Sequence, residues 1–119
     1  MTQANAGPAI VDPEGIPWAG HPRFENILMK PLITSATHDL ASVARVHVPP
    51  EGVIGLHIHT REVEVVYVLS GESVLTLGSA DASFCAGQVV AIPAGLEHGL
   101  RNVGDEPVEL LTFFTPPIM

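Results

Sequence analysis

The chain is poor in positive charge. Only 5 Lys and Arg residues stand against 13 Asp and Glu residues, which gives a formal net charge of −8 at pH 7. Nucleic acids and anionic membrane surfaces present phosphate groups, and the proteins that bind them need clustered Lys and Arg. The composition therefore predicts neither a nucleic acid nor a membrane surface as a partner.

Cysteine and long apolar runs are also scarce. Cys85 is the only cysteine, so the chain cannot form an internal disulfide, and a reducing cytoplasm is the expected compartment. Residues 1–10 are small and polar and lack the basic-then-apolar pattern of a secretion signal. No run approaches the roughly 18 apolar residues that a membrane-spanning helix needs.

Regular helix is disfavoured near the start of the chain, where proline and glycine alternate between Pro13 and Pro22. Residues 1–25 are predicted to form an N-terminal arm, and residues 26–119 a single barrel domain. Trp18, the only tryptophan, lies in the arm and needs an apolar surface to pack on. The sequence leaves open whether that surface is the chain's own barrel or a second subunit.

The rest of the chain reads as short β-branched or aromatic runs separated by Gly, Pro, Asp and Ser. Eight strands are predicted, a number and spacing typical of a sandwich or a small closed barrel. Their predicted ranges are 27–33, 42–48, 53–59, 63–69, 73–77, 88–92, 98–103 and 108–114.

Four side chains in these strands indicate a metal site. His57 and His59 lie two residues apart, so in a strand they share a face and can aim two imidazoles at one point. Glu64 follows on the next strand, and His98 comes from a later one. Three imidazoles and one carboxylate suit a borderline transition metal better than calcium or magnesium, which prefer oxygen shells.

The spacing around these residues resembles the two sequence motifs of the cupin superfamily. The first motif places a glycine, His-x-His, a glutamate and a second glycine in order, and here its members are Gly52, His57, His59, Glu64 and Gly71. The gap between Gly52 and His57 is one residue shorter than the family pattern. The second motif fits at every fixed position, with Gly87, Pro93, Gly95, His98 and Asn102.

This resemblance implies an all-β fold, the double-stranded β-helix (jelly-roll) barrel of small single-domain cupins, over roughly residues 40–116. It also implies one divalent metal ion, either Fe, Mn, Zn, Ni or Cu, held by the side chains of His57, His59, Glu64 and His98. Glu62 competes with Glu64 as the acidic ligand, and the family spacing to Gly71 favours Glu64. Asn102 is expected to secure a turn.

A substrate pocket is predicted beside the metal site. Gly55 lies two residues before His57, so its missing side chain either leaves room for a substrate beside the metal or marks a bulge. Thr112 and Phe114 share a face of the last strand and are expected in the pocket wall. His47 and Arg45 either line the pocket mouth or lie on the outer face, and default strand alternation favours the outer face.

His21 lies in a turn-like, polar context and is expected at the surface.

The resemblance implies a small-molecule partner and a homodimer. Four protein ligands on an octahedral ion leave two adjacent positions, which suit a dicarbonyl, an enediol or a hydroxy acid. An enzyme of the dioxygenase type, or of the isomerase or lyase type, is the first hypothesis. The alternative is a non-catalytic module that uses the metal to bind or sense a small molecule.

Overall fold

A computed structural model describes residues 8–119, and it consists almost entirely of β-strands. The strands are β1 Ala19–Gly20, β2 Leu28–Ile33, β3 Ser42–Val48, β4 Val53–His57, β5 Val63–Ser70, β6 Glu72–Leu77, β7 Ala80–Cys85, β8 Val89–Ile92, β9 His98–Asn102 and β10 Val108–Thr115. The predicted all-β class is confirmed. The division into an arm (1–25) and a barrel stays a prediction, and residues 1–7 lie outside the described part.

Two antiparallel sheets form the barrel. The larger has the order β1-β2-β3-β10-β5-β8, and the smaller has the order β4-β9-β6-β7. Strict alternation along β3, with every second residue buried from Ser42 to Val48, turns one face of the large sheet inward. The apolar core draws on both sheets, with Val46, Val66 and Leu110 from the large sheet and Leu75 and Leu100 from the small one.

The eight predicted strands are all present within residues 8–119, with ends that differ by no more than two residues. Two strands were missed. The strand β1 has only two residues and pairs with β2, and β7 contains no β-branched residue to mark it.

Asn102 ties together the turn that precedes β10. Its side-chain amide donates to the carbonyls of Val48 (3.2 Å) and Glu106 (2.8 Å), and its oxygen accepts from the Gly104 amide (2.9 Å). This confirms the turn-securing role expected for Asn102.

Trp18 packs on its own chain's barrel. The indole lies 5.0 Å from the Lys30 ammonium and 5.7 Å from the Arg45 guanidinium, and its centroid is 6.0 Å from that of His47. The sequence left open whether Trp18 packs on its own barrel or on a second subunit. In the single chain it packs on its own barrel, at the outer face of the large sheet. Within residues 8–119 no helix is long and apolar enough to cross a membrane.

Candidate metal centre

The four side chains predicted to bind metal converge at one point between the two sheets. Their nearest ligand atoms, one from each residue, all lie within 4.8 Å of one another. They are His57, His59, Glu64 and His98, here called the inner cluster. His57 and His98 pair across β4 and β9 of the small sheet. Glu64 reaches them from β5 of the large sheet, so the site forms only when both sheets close.

The position of His59 differs from the prediction. Strand β4 ends at His57, so His59 lies in the connection to β5 rather than on the same strand. The loop around Gly95 holds it in place, because the Gly95 amide donates to the His59 carbonyl at 2.8 Å. The rings of His57 and His59 still lie side by side, with centroids 4.8 Å apart.

Backbone carbonyls orient two of the imidazoles. Nδ1–H of His57 donates to the Gly55 carbonyl at 2.7 Å, and Nδ1–H of His98 donates to the Leu96 carbonyl at 2.8 Å. Because a carbonyl only accepts, each ring carries a proton on Nδ1, and neutral His57 keeps the lone pair of Nε2 for another partner. Nε2 of His98 faces the Glu64 carboxylate, a second acceptor, so His98 satisfies both contacts in its protonated form. Such second contacts commonly fix metal-binding histidines.

The carboxylate of Glu64 is the electrostatic centre of the cluster. Its Oε1 lies 3.1 Å from Nε2 of His98 and 3.5 Å from Nε2 of His59. Burial by itself would raise the pKa of Glu64, but hydrogen bonds from His59 and His98 outweigh it and lower that pKa. Burial likewise opposes the charged form of His98, yet the contact with Glu64 raises the pKa of His98 above 6.5.

His57 differs from His98 because, among the described residues, no hydrogen bond or ion pair joins it to Glu64. Burial lowers the pKa of its imidazole below 6.5, and the neighbouring histidines add to the effect. The inner cluster thus contains one imidazole with a raised pKa, that of His98, and one with a lowered pKa, that of His57.

The donor set fits a transition metal. Nitrogen and carboxylate ligands lie about 2.0–2.2 Å from such an ion, so two of them are at most about 4.4 Å apart. The widest pair in the inner cluster, within 4.8 Å, needs to move by only a few tenths of an ångström. Glu62 precedes β5, is half-buried and does not belong to this group.

A cavity of about 380 Å³ opens beside the inner cluster. Thr112 and Phe114 of β10 lie in its wall, as expected, and the Phe114 ring stands edge-on to His59 with centroids 5.0 Å apart. Most of the remaining lining is apolar, including Val66, Leu100 and Leu110.

Of the two roles left open for Gly55, the structure favours the bulge. The β4–β9 register shifts between Ile54 and His57, which favours the bulge over the open space proposed for a substrate. A Cβ added to Gly55 would lie 3.7 Å from Cε1 of Phe24, an ordinary contact. Its carbonyl, through the bond to His57, is what this residue contributes to the site.

Arg45 and His47 do not line the pocket and lie on the outer face, the placement that strand alternation favoured. Both alternate with the buried residues of β3 and therefore face outward, where the carboxylate of Glu109 on β10 contacts both side chains. The Arg45–Glu109 distance is 3.2 Å. Arg45, His47 and Glu109, here called the outer cluster, lie beneath Trp18 and away from the cavity.

Sequence reasoning missed the part of the arm that reaches the cavity. His21, Pro22, Arg23 and Phe24 all line it. His21, expected at the surface, is half-buried, and burial followed by the charge of Arg23 lowers the pKa of its imidazole. A proline-rich arm carries no periodic signal for the surface it packs on, so nothing in the local pattern marked these residues.

The chain is similar to several known proteins. An oxalate-binding protein of Thermotoga maritima is 36% identical over 81 residues, which cover 67% of each chain. A germin-like protein, subfamily 2 member 2, of Arabidopsis thaliana is 38% identical over 78 residues, but the match spans only 36% of that longer protein and 61% of this chain.

The chain also resembles a solved structure and matches a family model. The crystal structure of a predicted oxalate decarboxylase from Thermotoga maritima superposes with a TM-score of 0.82 and 28% identity, over 91% of this chain and 99% of that one. The model of the cupin domain matches residues 44–114, more than half of the sequence. The chain therefore belongs to the cupin family.

Proposed function

We propose that this cupin uses the inner cluster to hold one divalent transition metal and, beside it, a small molecule that carries two neighbouring oxygen atoms. The observation that supports the proposal is the convergence of three imidazoles and one carboxylate at the wall of an otherwise apolar cavity. When bound, such an ion would serve as a Lewis acid and an anchor for oxygen ligands.

The chain's own residues define what fits. At about 380 Å³ the cavity is near the lower end of the range for small-molecule sites, so it suits a compact ligand. Apolar walls such as Val66 and Leu110 exclude water and strengthen electrostatic contacts inside. In the metal-free protein the contact between Glu64 and His98 holds both side chains in place.

Oxalate is the first ligand to test. It is the smallest dicarboxylate with adjacent oxygens. A similar curated protein is described as oxalate-binding, and a similar solved structure as that of a predicted oxalate decarboxylase. Binding is favoured as the core function because Glu64 is the only acidic side chain among the described residues that line the cavity. Few groups therefore remain to move protons beside a ligand.

Catalysis is a second candidate, and His21 supports it. This imidazole lies at the cavity outside the inner cluster, and its lowered pKa keeps it neutral near pH 7, so it can polarise a substrate oxygen by donating a hydrogen bond. Dioxygenase, isomerase and lyase chemistry all remain proposals. A homodimer and a cytoplasmic location also stay predictions, and sedimentation velocity of the full chain tests the first.

The deciding experiment loads the untagged protein with Zn²⁺, Mn²⁺ or Fe²⁺ and titrates oxalate by calorimetry. We expect binding that requires the metal and saturates at one oxalate per chain. With Fe²⁺, oxalate-dependent oxygen consumption would indicate an enzyme, and its absence with intact binding would favour the binding module. Failure of every metal-loaded form to bind any small oxygen chelator would contradict the proposal.

A further inference from the structure

The arm residues at the cavity belong to a closed loop. The amide of His21 donates to the carbonyl of Ile27 at 2.8 Å, which joins the two ends of residues 21–27. Asn26 turns the chain with a φ of 65°, a left-handed conformation that Asn tolerates better than most residues. Ile27 is fully buried in the core and anchors the loop to the barrel. These seven residues are here called the capping loop.

The capping loop touches the inner cluster through Phe24. The centroid of this ring lies 5.1 Å from that of His57 and 4.9 Å from that of His21. Gly55 offers no side chain on the facing strand, so the ring packs close to the backbone there. The loop is therefore a wall of the cavity, held at a fixed distance from the proposed metal ligands.

Two donors in this wall lack acidic partners. The guanidinium of Arg23 lies over the Phe24 ring at 5.5 Å, and within residues 8–119 no carboxylate forms an ion pair with it. The backbone amide of Arg23 donates to Nδ1 of His21 at 3.1 Å. Nδ1 is then the acceptor, so the proton of the neutral imidazole sits on Nε2, which is left as a donor.

A divalent ion at the inner cluster would give the cavity an excess of positive charge. Glu64 is the only acidic side chain among its described lining residues, and Arg23 adds a permanent cation that offsets it. A divalent ion on the inner cluster, together with Glu64 and Arg23, would carry the charge of a dication, which a small dianion neutralises. Arg23 is exposed, so a neutral chelator would leave its charge to solvent, whereas a dianion would give it a charged partner.

We infer that the capping loop selects small anions for the cavity, with Arg23 and His21 donating to ligand oxygens that the inner cluster does not engage. The inference rests on the proposed function and names its ligand class, a compact dicarboxylate dianion. Arg23 and His21 are assigned as specificity-determining residues, and Phe24 positions them by packing on His57.

Arg23 is the residue to test, with oxalate as the probe and calorimetry on the zinc-loaded full chain as the measurement. Arg23→Leu keeps the apolar stem and removes the donors, and we expect oxalate to bind about tenfold more weakly, the lower end of the effect of a charged hydrogen bond. Arg23→Lys keeps the charge and should stay within about threefold of the wild type. Arg101→Leu is the matched control, because Arg101 is exposed on β9 beside Asp81, outside the cavity lining.

The outcomes separate this inference from the proposed function. If wild-type protein binds oxalate and the leucine variants at Arg23 and Arg101 bind it equally well, the inference is wrong while the metal-dependent function stands. Loss of zinc from Arg23→Leu would also overturn the inference, since Arg23 would then act on the inner cluster rather than on the ligand. If zinc-loaded wild type binds no oxalate, both proposals fail.

Discussion

The inner and outer clusters use similar residue types on opposite faces of one sheet, yet only the inner one is suited to a metal. Each has a carboxylate on the large sheet and at least one histidine beside it. In the outer cluster Glu109 faces Arg45, whose guanidinium stays protonated at any physiological pH. In the inner cluster Glu64 faces imidazoles, whose protons a metal can displace.

The difference shows that a carboxylate suits a metal site when the side chains beside it can release their protons. Glu109 already has a permanent counterion, so a metal would gain little there and would be repelled by Arg45. Glu64 is buried, and the side chains that neutralise it are imidazoles, which can release their protons. Carbonyls at Gly55 and Leu96 further aim two imidazoles, and the outer cluster has no such arrangement in the described residues.

The largest expected effect comes from removing one histidine of the inner cluster. His98→Ala should weaken zinc binding by more than about 100-fold, since even residues that merely orient ligands contribute tenfold to 100-fold. His47→Ala, the matched change in the outer cluster, should leave zinc content unchanged. Metal analysis of both purified variants checks this. Equal zinc in His98→Ala and wild type would remove His98 from the site.

Acid should also separate the clusters, through metal release. His98 has a raised pKa, so protons begin to compete with the metal above pH 6.5, and the loss of affinity steepens as His57 protonates at lower pH. Each imidazole that must be deprotonated contributes about tenfold per pH unit below its pKa. Zinc affinity measured from pH 8 to pH 5 should fall continuously. A flat profile would mean that histidines do not hold the ion.

The stability of metal-free protein provides a smaller and more specific test. The folded pKa of His98 lies above its unfolded value of 6.5, so the stabilisation by Glu64 is fully present below pH 6.5 and is lost as the pH rises through the folded pKa. Glu64→Gln should therefore cost more free energy of unfolding at pH 6 than at pH 9. Denaturant titrations at both pH values measure it, and a penalty that grows with pH would contradict the assignment.

The smallest effect is expected from Glu109→Gln. The ion pairs of the outer cluster are partly exposed, so the free energy of unfolding should fall by no more than about 1 kcal/mol. Zinc affinity should not change at all. A zinc affinity that drops with this variant would show that the two faces of the sheet are coupled, which the structure gives no reason to expect.

The sequence predicted the inner cluster and most strands because both depend on local spacing. Alternation in β3 turns Ser42, Ala44 and Val46 to one side and Arg45 and His47 to the other, and motif spacing chose Glu64 over Glu62. Alternation favoured the outer face for Arg45 and His47 but did not exclude the pocket mouth. In the fold, the mainly apolar residues on the opposite face of β3 are buried, and this places Arg45 and His47 outside.

The capping loop and β7 were beyond prediction for a different reason. His21 and Phe24 reach the cavity only because Ile27 anchors the loop in the core and the His21 amide closes it, both of which are contacts between segments. The strand β7 takes its form from pairing with β6, whereas Ala80, Asp81 and Ala82 have low intrinsic strand preference. Tertiary contacts decided both cases.

The most direct test of the account is an anomalous-scattering measurement on crystals of the zinc-loaded protein. We expect one strong peak per chain, in contact with all four side chains of the inner cluster, and none at the outer cluster. A peak at the outer cluster, or well-ordered inner side chains without a peak in protein that contains zinc, would contradict the claim that these four residues form the metal site.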